Sequence, residues 1–66
     1  MSINFDKMDT ATYDKMVREA RIKFQEMDNR TLAHKLTVLA KLPRSLNKAE
    51  REAILITAAS RLWDAN

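Results

Sequence analysis

The chain has 66 residues, a formal net charge of +3, one histidine, and neither glycine nor cysteine. This length allows one small domain, the missing cysteines exclude disulfides and cysteine-ligated zinc, and a single histidine excludes a histidine-rich metal site. Because glycine supplies most tight hairpin turns, its absence argues against β-structure, and abundant Ala, Leu, Met, Lys, Arg and Glu predict an all-α fold.

Residues 1–8 are predicted to form a short N-terminal arm, and residues 9–66 a single helical domain. In the arm, Ile3 and Phe5 alternate with polar residues, a strand-like period that is too short to form a sheet alone. The arm lacks the basic and apolar regions of a secretory signal, and no apolar run approaches the roughly 20 residues that span a bilayer. We therefore expect a cytoplasmic protein without a membrane partner.

The first helix is predicted over residues 10–27, with Asp9 or Thr10 as its N-cap. Asn29 tolerates a left-handed conformation, and it is predicted to end this helix in place of glycine. One continuous apolar stripe at helical spacing supports the assignment, and it consists of Tyr13, Met16, Val17, Ala20, Phe24 and Met27.

The second helix is predicted over residues 30–42, with Asp28 or Asn29 as its N-cap. Pro43 disfavours helical geometry at the preceding residue and ends the helix. The apolar stripe of this helix consists of Leu32, Leu36, Leu39 and Ala40, with Leu42 at its edge.

The third helix is predicted over residues 48–64, and Asn47 and Glu50 are spaced as a capping box at its start. Its apolar residues cover more than half of the circumference, which is typical of a helix that is central in a bundle or contacts a second chain. This wide arc consists of Ile54, Leu55, Ile56, Ala58, Ala59, Leu62 and Trp63. The remaining narrow face is predicted to consist of Glu50, Ala53, Thr57, Ser60, Arg61 and Asp64.

Short connections of about two to five residues favour antiparallel neighbouring helices. We therefore expect a small three-helix bundle or an open helical hairpin that follows the N-terminal arm. The core of such a short chain is marginal, so burial of apolar surface against a second copy is attractive. A homodimer is therefore one expected assembly.

Five Lys/Arg and no Asp or Glu occupy residues 30–48, whereas residues 1–29 and 50–66 carry a net charge of −1 each. The five are Arg30, Lys35, Lys41, Arg44 and Lys48, and the last three flank the turn at Pro43. An excess of one sign in one segment is typical of a docking surface for an acidic protein or for nucleic acid. An ordinary solvated turn with lysines near a helix C-terminus explains the same pattern.

Of the two partners, an acidic protein surface is preferred over nucleic acid. No aromatic residue lies among the basic residues, so stacking on single-stranded bases is unsupported. The third helix also begins with Glu50 and Glu52, whose carboxylates would repel phosphate.

An enzyme is not expected. His34 lies opposite the apolar stripe of the second helix, where an imidazole is ordinarily a solvated surface group. Pairs of carboxylates such as Glu50 and Glu52 are typical of helix starts, and no glycine-rich loop is present to hold a phosphate. We predict no catalytic residue, no cofactor and no metal site.

Several apolar residues fall outside the predicted stripes. Ile22 lies opposite the stripe of the first helix, Val38 lies off that of the second, and Ile56 and Trp63 lie at opposite edges of the third. Trp63 either covers one end of the bundle or anchors a partner, since Trp is enriched at binding hot spots. The residues predicted to bind a partner are Ile22, Ile56, Trp63, Lys41, Arg44 and Lys48.

The end of the third helix, Ala58-Ala59-Ser60-Arg61-Leu62-Trp63, resembles a pattern of small bacteriophage and prophage proteins. In that pattern a helix closes with two alanines, an acidic residue, arginine and leucine, and Ser60 here takes the place of the acid. The resemblance implies an accessory protein in the host cytoplasm that binds a larger host or phage protein and inhibits or redirects it, for example as an antirepressor. It assigns no functional residue, and the alternative function is nucleic-acid binding through residues 30–48.

Overall fold

The computed structural model describes residues 8–65, and the fold within that range is all-α. Helix α1 comprises Thr10–Gln25, α2 comprises Asn29–Lys41 and α3 comprises Lys48–Asp64, and a 3₁₀ turn at Pro43–Ser45 joins α2 to α3. The predicted small three-helix fold is confirmed, with helix bounds that differ from the predicted ones by two residues or fewer. Of the predicted N-terminal arm, residues 1–7 lie outside the described residues.

Each helix begins at a residue whose side chain accepts a backbone hydrogen bond. Asp9 and Asp28 each accept the backbone N–H of the threonine three residues later, at 2.7 and 2.8 Å. Hydrogen bonds from the side chain and from the backbone N–H of that threonine lower the pKa of both aspartates. The predicted capping box is confirmed, since Asn47 Oδ1 accepts the Glu50 N–H at 2.8 Å and Glu50 Oε1 accepts the Asn47 N–H at 3.2 Å.

The predicted left-handed end of the first helix was wrong. Asn29 is the first residue of α2, and no residue between 8 and 65 has a positive φ. A left-handed residue is one way to satisfy the free carbonyls at a helix end, but α1 uses a side chain from α3 for this purpose, as described below. The predicted end of α2 is confirmed, because Leu42 leaves the helix with φ −130° and ψ 77° directly before Pro43.

The core lies mainly between α1 and α3, the two helices whose backbones approach each other most extensively. The stripe predicted for α1 faces this core, with Val17 and Phe24 buried and its other members packed against them. The buried apolar residues are Val17, Phe24, Leu32, Ala49, Ala53 and Ile54. On α2, Leu32 is buried and Leu36 and Leu39 are partly buried, but Ala40 and Leu42 are exposed. The predicted stripe of α2 is therefore too wide, because this helix packs less extensively against α3.

The prediction for the faces of α3 was largely wrong. Ala53 and Thr57, which were assigned to the narrow polar face, are buried against α1, together with Ala49 one turn earlier. These small residues recur every four positions, so they form one flat strip on which α1 can pack closely. The Thr57 hydroxyl donates to the Ala53 carbonyl oxygen at 2.8 Å, so its burial leaves no unsatisfied donor. Of the predicted apolar arc, only Ile54 is buried and only Ala58 is partly buried.

Candidate protein-binding surface

The large apolar residues of α3 form a continuous surface on the side that faces away from α1. We call this surface the outer face of α3, and it consists of Leu55, Ile56, Ala59, Leu62 and Trp63. The last four residues follow Leu55 by one, four, seven and eight positions. At 100° per residue, this spacing places all five on one side of the helix over more than two turns. The exposed fractions are 55% for Leu55, 37% for Ile56, 71% for Leu62 and 83% for Trp63.

The exposure of Trp63 distinguishes between the two interpretations of this residue. A Trp that covered one end of the bundle would be largely buried, whereas Trp63 has most of its side chain in solvent. Ile56 lies two turns before Trp63 on the same side of α3, so these two predicted anchor residues belong to one surface. Ile22 is also exposed, but it lies on α1 about 160° around the helix from the buried Phe24. It therefore belongs to a separate surface that faces away from α3.

The predicted basic residues surround the connection between α2 and α3. Lys41 is the last residue of α2, Arg44 lies in the 3₁₀ turn and Lys48 is the first residue of α3, and all three are exposed. The Lys48 Nζ lies 5.8 Å from the centroid of the Tyr13 ring on α1, a cation–π contact that holds this ammonium beside the bundle. The pKa of the Tyr13 phenol is raised, chiefly by burial and to a smaller extent by a hydrogen bond to Glu52.

A groove between α2 and α3, which the sequence did not predict, adjoins the outer face. It has a volume of about 310 Å³, and its lining is mostly apolar. Alanine occurs at three lining positions, so few side-chain atoms fill the space between the two helices. The apolar lining consists of Leu32, Ala33, Leu36, Ala58, Leu62 and Ala65, with Asn29 and Arg61 at one end. Because Leu62 belongs to both the groove and the outer face, the two apolar surfaces are continuous.

Arg61 joins the three helices at one end of this groove. Its guanidinium donates to Asn29 Oδ1 at 2.9 Å, to the Phe24 carbonyl oxygen at 3.4 Å and to the Gln25 carbonyl oxygen at 3.2 Å. It also donates to the carbonyl oxygen of Met27. Arg61 therefore donates to carbonyls in the last turn of α1 and just beyond it, and its charge is placed favourably at that helix C-terminus. The Phe24 carbonyl oxygen also accepts the Met27 N–H at 3.1 Å. Hydrophobic periodicity did not predict this role, since it placed Arg61 on the narrow face outside the apolar arc of α3.

Three further features of the described residues concern a catalytic histidine, a metal site and a membrane-spanning helix. His34 is exposed on α2, as its position opposite the apolar stripe predicted. Within residues 8–65, no three His, Cys, Asp or Glu side chains are grouped closely enough to hold a metal ion. No helix in the same range is both long enough and apolar enough to cross a bilayer.

The chain matches no protein-family model, no curated protein and no solved structure. The resemblance to phage accessory proteins therefore stays a prediction.

Proposed function

We propose that this chain is a small non-enzymatic regulatory protein that binds a larger protein through the outer face of α3 and inhibits or redirects it. The observation that carries the proposal is the exposure of four large apolar side chains, including the only Trp of the chain, on one side of one helix. Contiguous exposed apolar side chains of this kind mark interaction surfaces in soluble proteins, and Trp is the residue most typical of a binding hot spot.

The outer face can contribute a substantial apolar term to binding. Complete burial of a large apolar side chain contributes about 1.5–3 kcal/mol. Since Leu55, Leu62 and Trp63 are each more than half exposed, a partner that covers the outer face gains roughly 4–7 kcal/mol from these three and Ile56. This gain is comparable to the lower part of the range of about 4–15 kcal/mol that association costs in lost freedom, so further contacts with the partner supply the net affinity. A complex of this kind suits a reversible regulator of the phage accessory type, for example an antirepressor acting in the host cytoplasm.

The basic residues around the α2–α3 connection favour a partner with an acidic surface. Lys41, Arg44 and Lys48 are exposed around the α2–α3 connection, and residues 30–48 contain no acidic residue. Basic groups beside an apolar surface accelerate encounter with an acidic protein more than they strengthen the final complex. We therefore propose a larger host or phage protein with an acidic surface as the partner.

Affinity capture with matched variants tests the proposal. The immobilised chain is incubated with lysate of its native cells, and the captured proteins are quantified by mass spectrometry. We expect Trp63→Ala and Ile56→Ala to reduce capture of the specific partner at least tenfold. Leu42→Ala, which truncates an exposed Leu outside the outer face, should leave capture unchanged. Circular dichroism confirms that each variant is folded. Undiminished capture by Trp63→Ala would contradict the proposal.

A second copy of the chain is the other occupant that the outer face could accept. Sedimentation equilibrium of the wild type and of Trp63→Ala separates the two cases. A dimer that dissociates in Trp63→Ala would assign the outer face to self-association, whereas a wild-type monomer at micromolar concentration leaves this face available to another protein.

Nucleic-acid binding is the second candidate function, and the observation that favours it is the exposure of all five basic residues between 30 and 48. Phosphate contacts are strongly salt-dependent, so binding through this segment predicts a mobility shift with duplex DNA at 50 mM salt that weakens steeply by 200 mM. Arg44→Ala should reduce such a shift, and Arg18→Ala on α1 is its matched control. The absence of a shift at low salt would remove this candidate.

A further inference from the structure

We propose that α2 opens as a unit while α1 and α3 stay packed, and that this opening widens the apolar surface that α3 offers to a partner. The first observation is the small contribution of α2 to the core. Leu32 is its only buried residue, whereas Ala49, Ala53, Ile54 and Thr57 of α3 are buried. The backbone of α2 also approaches that of α3 less extensively than the backbone of α1 does. A helix with few buried contacts opens at a lower free energy than the whole domain unfolds.

The groove between α2 and α3 is the second observation. It has a volume of about 310 Å³, and Leu36 on α2 and Ala58 on α3 line it from opposite sides. Both residues are only partly buried. The interior of a folded domain is ordinarily close-packed, so side chains beside an open space lose part of their dispersion contacts. The groove therefore weakens the attachment of α2 to α3.

The ends of α2 allow it to open without disrupting its neighbours. Leu42 has φ −130° and ψ 77°, and Leu46 has φ −124° and ψ 147°, so the backbone between α2 and α3 leaves helical geometry twice. The cap of α3 is local, because Asn47 Oδ1 accepts the Glu50 N–H at 2.8 Å. The start of α3 therefore does not depend on α2.

Contacts between α1 and α3 hold the opened form together. The Arg61 guanidinium donates to the carbonyl oxygens of Phe24 at 3.4 Å and of Gln25 at 3.2 Å, and α2 takes no part in these bonds. Opening gives up the bond from Arg61 to Asn29 Oδ1 at 2.9 Å. Because Asn29 is exposed, water can replace this partner at little cost.

Opening changes the part of α3 that adjoins the outer face. Ala58, Leu62 and Ala65 line the groove from the α3 side, and Leu62 also belongs to the outer face. Without α2, these residues and the outer face form one wider apolar surface. A partner that binds the wider surface selects the opened form, so its apparent affinity rises in proportion to the opened fraction. This consequence rests on the proposed function, whereas the opening itself does not.

Native-state hydrogen exchange of the full-length chain tests the opening. Exchange of backbone amides is followed by NMR at urea concentrations below the unfolding transition. We expect the amides in the middle of α2 to exchange at least tenfold faster than the slowest amides of α1 and α3. They should also share one urea dependence that is shallower than that of global unfolding, since less surface is exposed. Amides of α2 that exchange as slowly as the slowest amides of α1 and α3 would overturn the inference.

Two Ala→Gly variants separate the opening of α2 from global unfolding. A detached helix of 13 residues is not stable in water, so the opened α2 is unfolded. Ala33→Gly disfavours the helical form of α2 and should accelerate exchange of its amides at least threefold. Ala53→Gly makes the same change in α3, about 140° around the helix from the groove residue Ala58. It should accelerate the slowest amides of α1 and α3 and change those of α2 less than twofold, because α3 is helical in both forms. Equal acceleration of the α2 amides by both variants would overturn the inference.

Affinity capture with the same variant separates the inference from the proposed function. Since Ala33→Gly raises the opened fraction, it should increase capture of the native partner at sub-saturating concentration by the factor that exchange measures. If Ala33→Gly captures no more than the wild type while Trp63→Ala loses capture, the widened surface is refuted and the proposed function stands. If Trp63→Ala retains capture, the proposed function fails, and fast exchange of the α2 amides still supports the opening.

Discussion

Substitution of Arg61 should destabilise the fold more than its partly exposed position on α3 suggests. The Arg61 guanidinium contacts Asn29 at the start of α2 and the carbonyl oxygens of Phe24, Gln25 and Met27 at the end of α1. Met keeps much of the aliphatic stem but removes the charge and every donor. Arg61→Met would therefore leave the carbonyls at the end of α1 without their present partner.

The magnitude follows from the number and type of these contacts. A hydrogen bond from a charged group contributes about 1.5–3 kcal/mol, and bonds from one guanidinium are not additive. Water can replace part of the loss, since Gln25 and Asn29 are exposed. We expect Arg61→Met to lower the free energy of unfolding by about 2–3 kcal/mol, which corresponds to a fall in Tm of roughly 10–20 °C for a domain of this size.

Urea unfolding followed by circular dichroism measures this effect. Arg61→Lys keeps the charge near the helix end but lacks the planar fork that serves several acceptors, so it should recover only part of the lost stability. Arg18→Met makes the same change at an exposed position of α1 and should alter stability by less than about 0.5 kcal/mol. An Arg61→Met variant as stable as the wild type would refute the proposed role, and full recovery by Arg61→Lys would show that charge alone suffices.

Three further expectations concern packing, acid stability and exposure. Ala53→Leu should overfill the α1–α3 contact and cost about 1–3 kcal/mol in urea unfolding, whereas Ala59→Leu on the outer face should change stability by less than about 0.5 kcal/mol. The pKa values of Asp9 and Asp28 are lowered in the folded state, so their stabilising contribution is complete above the reference value of 3.8 and is lost as pH falls through the lower folded pKa. Because Asn also caps helices but does not titrate, the double Asn variant should lose less Tm between pH 5 and pH 2 in thermal melts. The emission of Trp63 should be that of a solvated indole that acrylamide quenches readily, and a buried-type spectrum of the isolated monomer would contradict its exposure.

The helices of this chain were predictable because their signals are local. Asp9, Asp28 and Asn47 cap helices that begin at the next residue, and Pro43 ends α2 at the expected place. Each of these effects depends on a few consecutive residues, so no knowledge of tertiary contacts was needed. The apolar stripe of α1 was also predictable, since its large apolar residues, Ile22 excepted, lie on one side of the helix and its charged residues on the other.

The orientation of α3 was not predictable from hydrophobic periodicity. Periodicity assigns the largest apolar side chains to the core, but α1 contributes the bulky Phe24, and a close contact then requires small residues opposite it. Ala49, Ala53 and Thr57 provide that strip, and small side chains carry little weight in a hydrophobic pattern. A signal was nevertheless present in the sequence, because residues 49, 53, 57 and 61 share one side of the helix. Arg61 is the long polar member of that side, and its position there is what brings its guanidinium to the end of α1.

The orientation of α3 against α1 leaves the outer face exposed, and packing within the chain does not explain why this face is apolar. Among residues 8–65, the largest fully buried side chains are Phe24 and Ile54, whereas four large apolar residues of α3 are exposed on a different side of that helix. Burial of those residues against α1 would bring in apolar contact but would turn Arg61 away from Asn29 and from the carbonyl oxygens at the end of α1. The Arg61 contacts hold α3 in the observed orientation, so the fold itself keeps the outer face in solvent. The Trp63 side chain therefore adds little to the core, and this is why we propose it as an anchor for a second molecule.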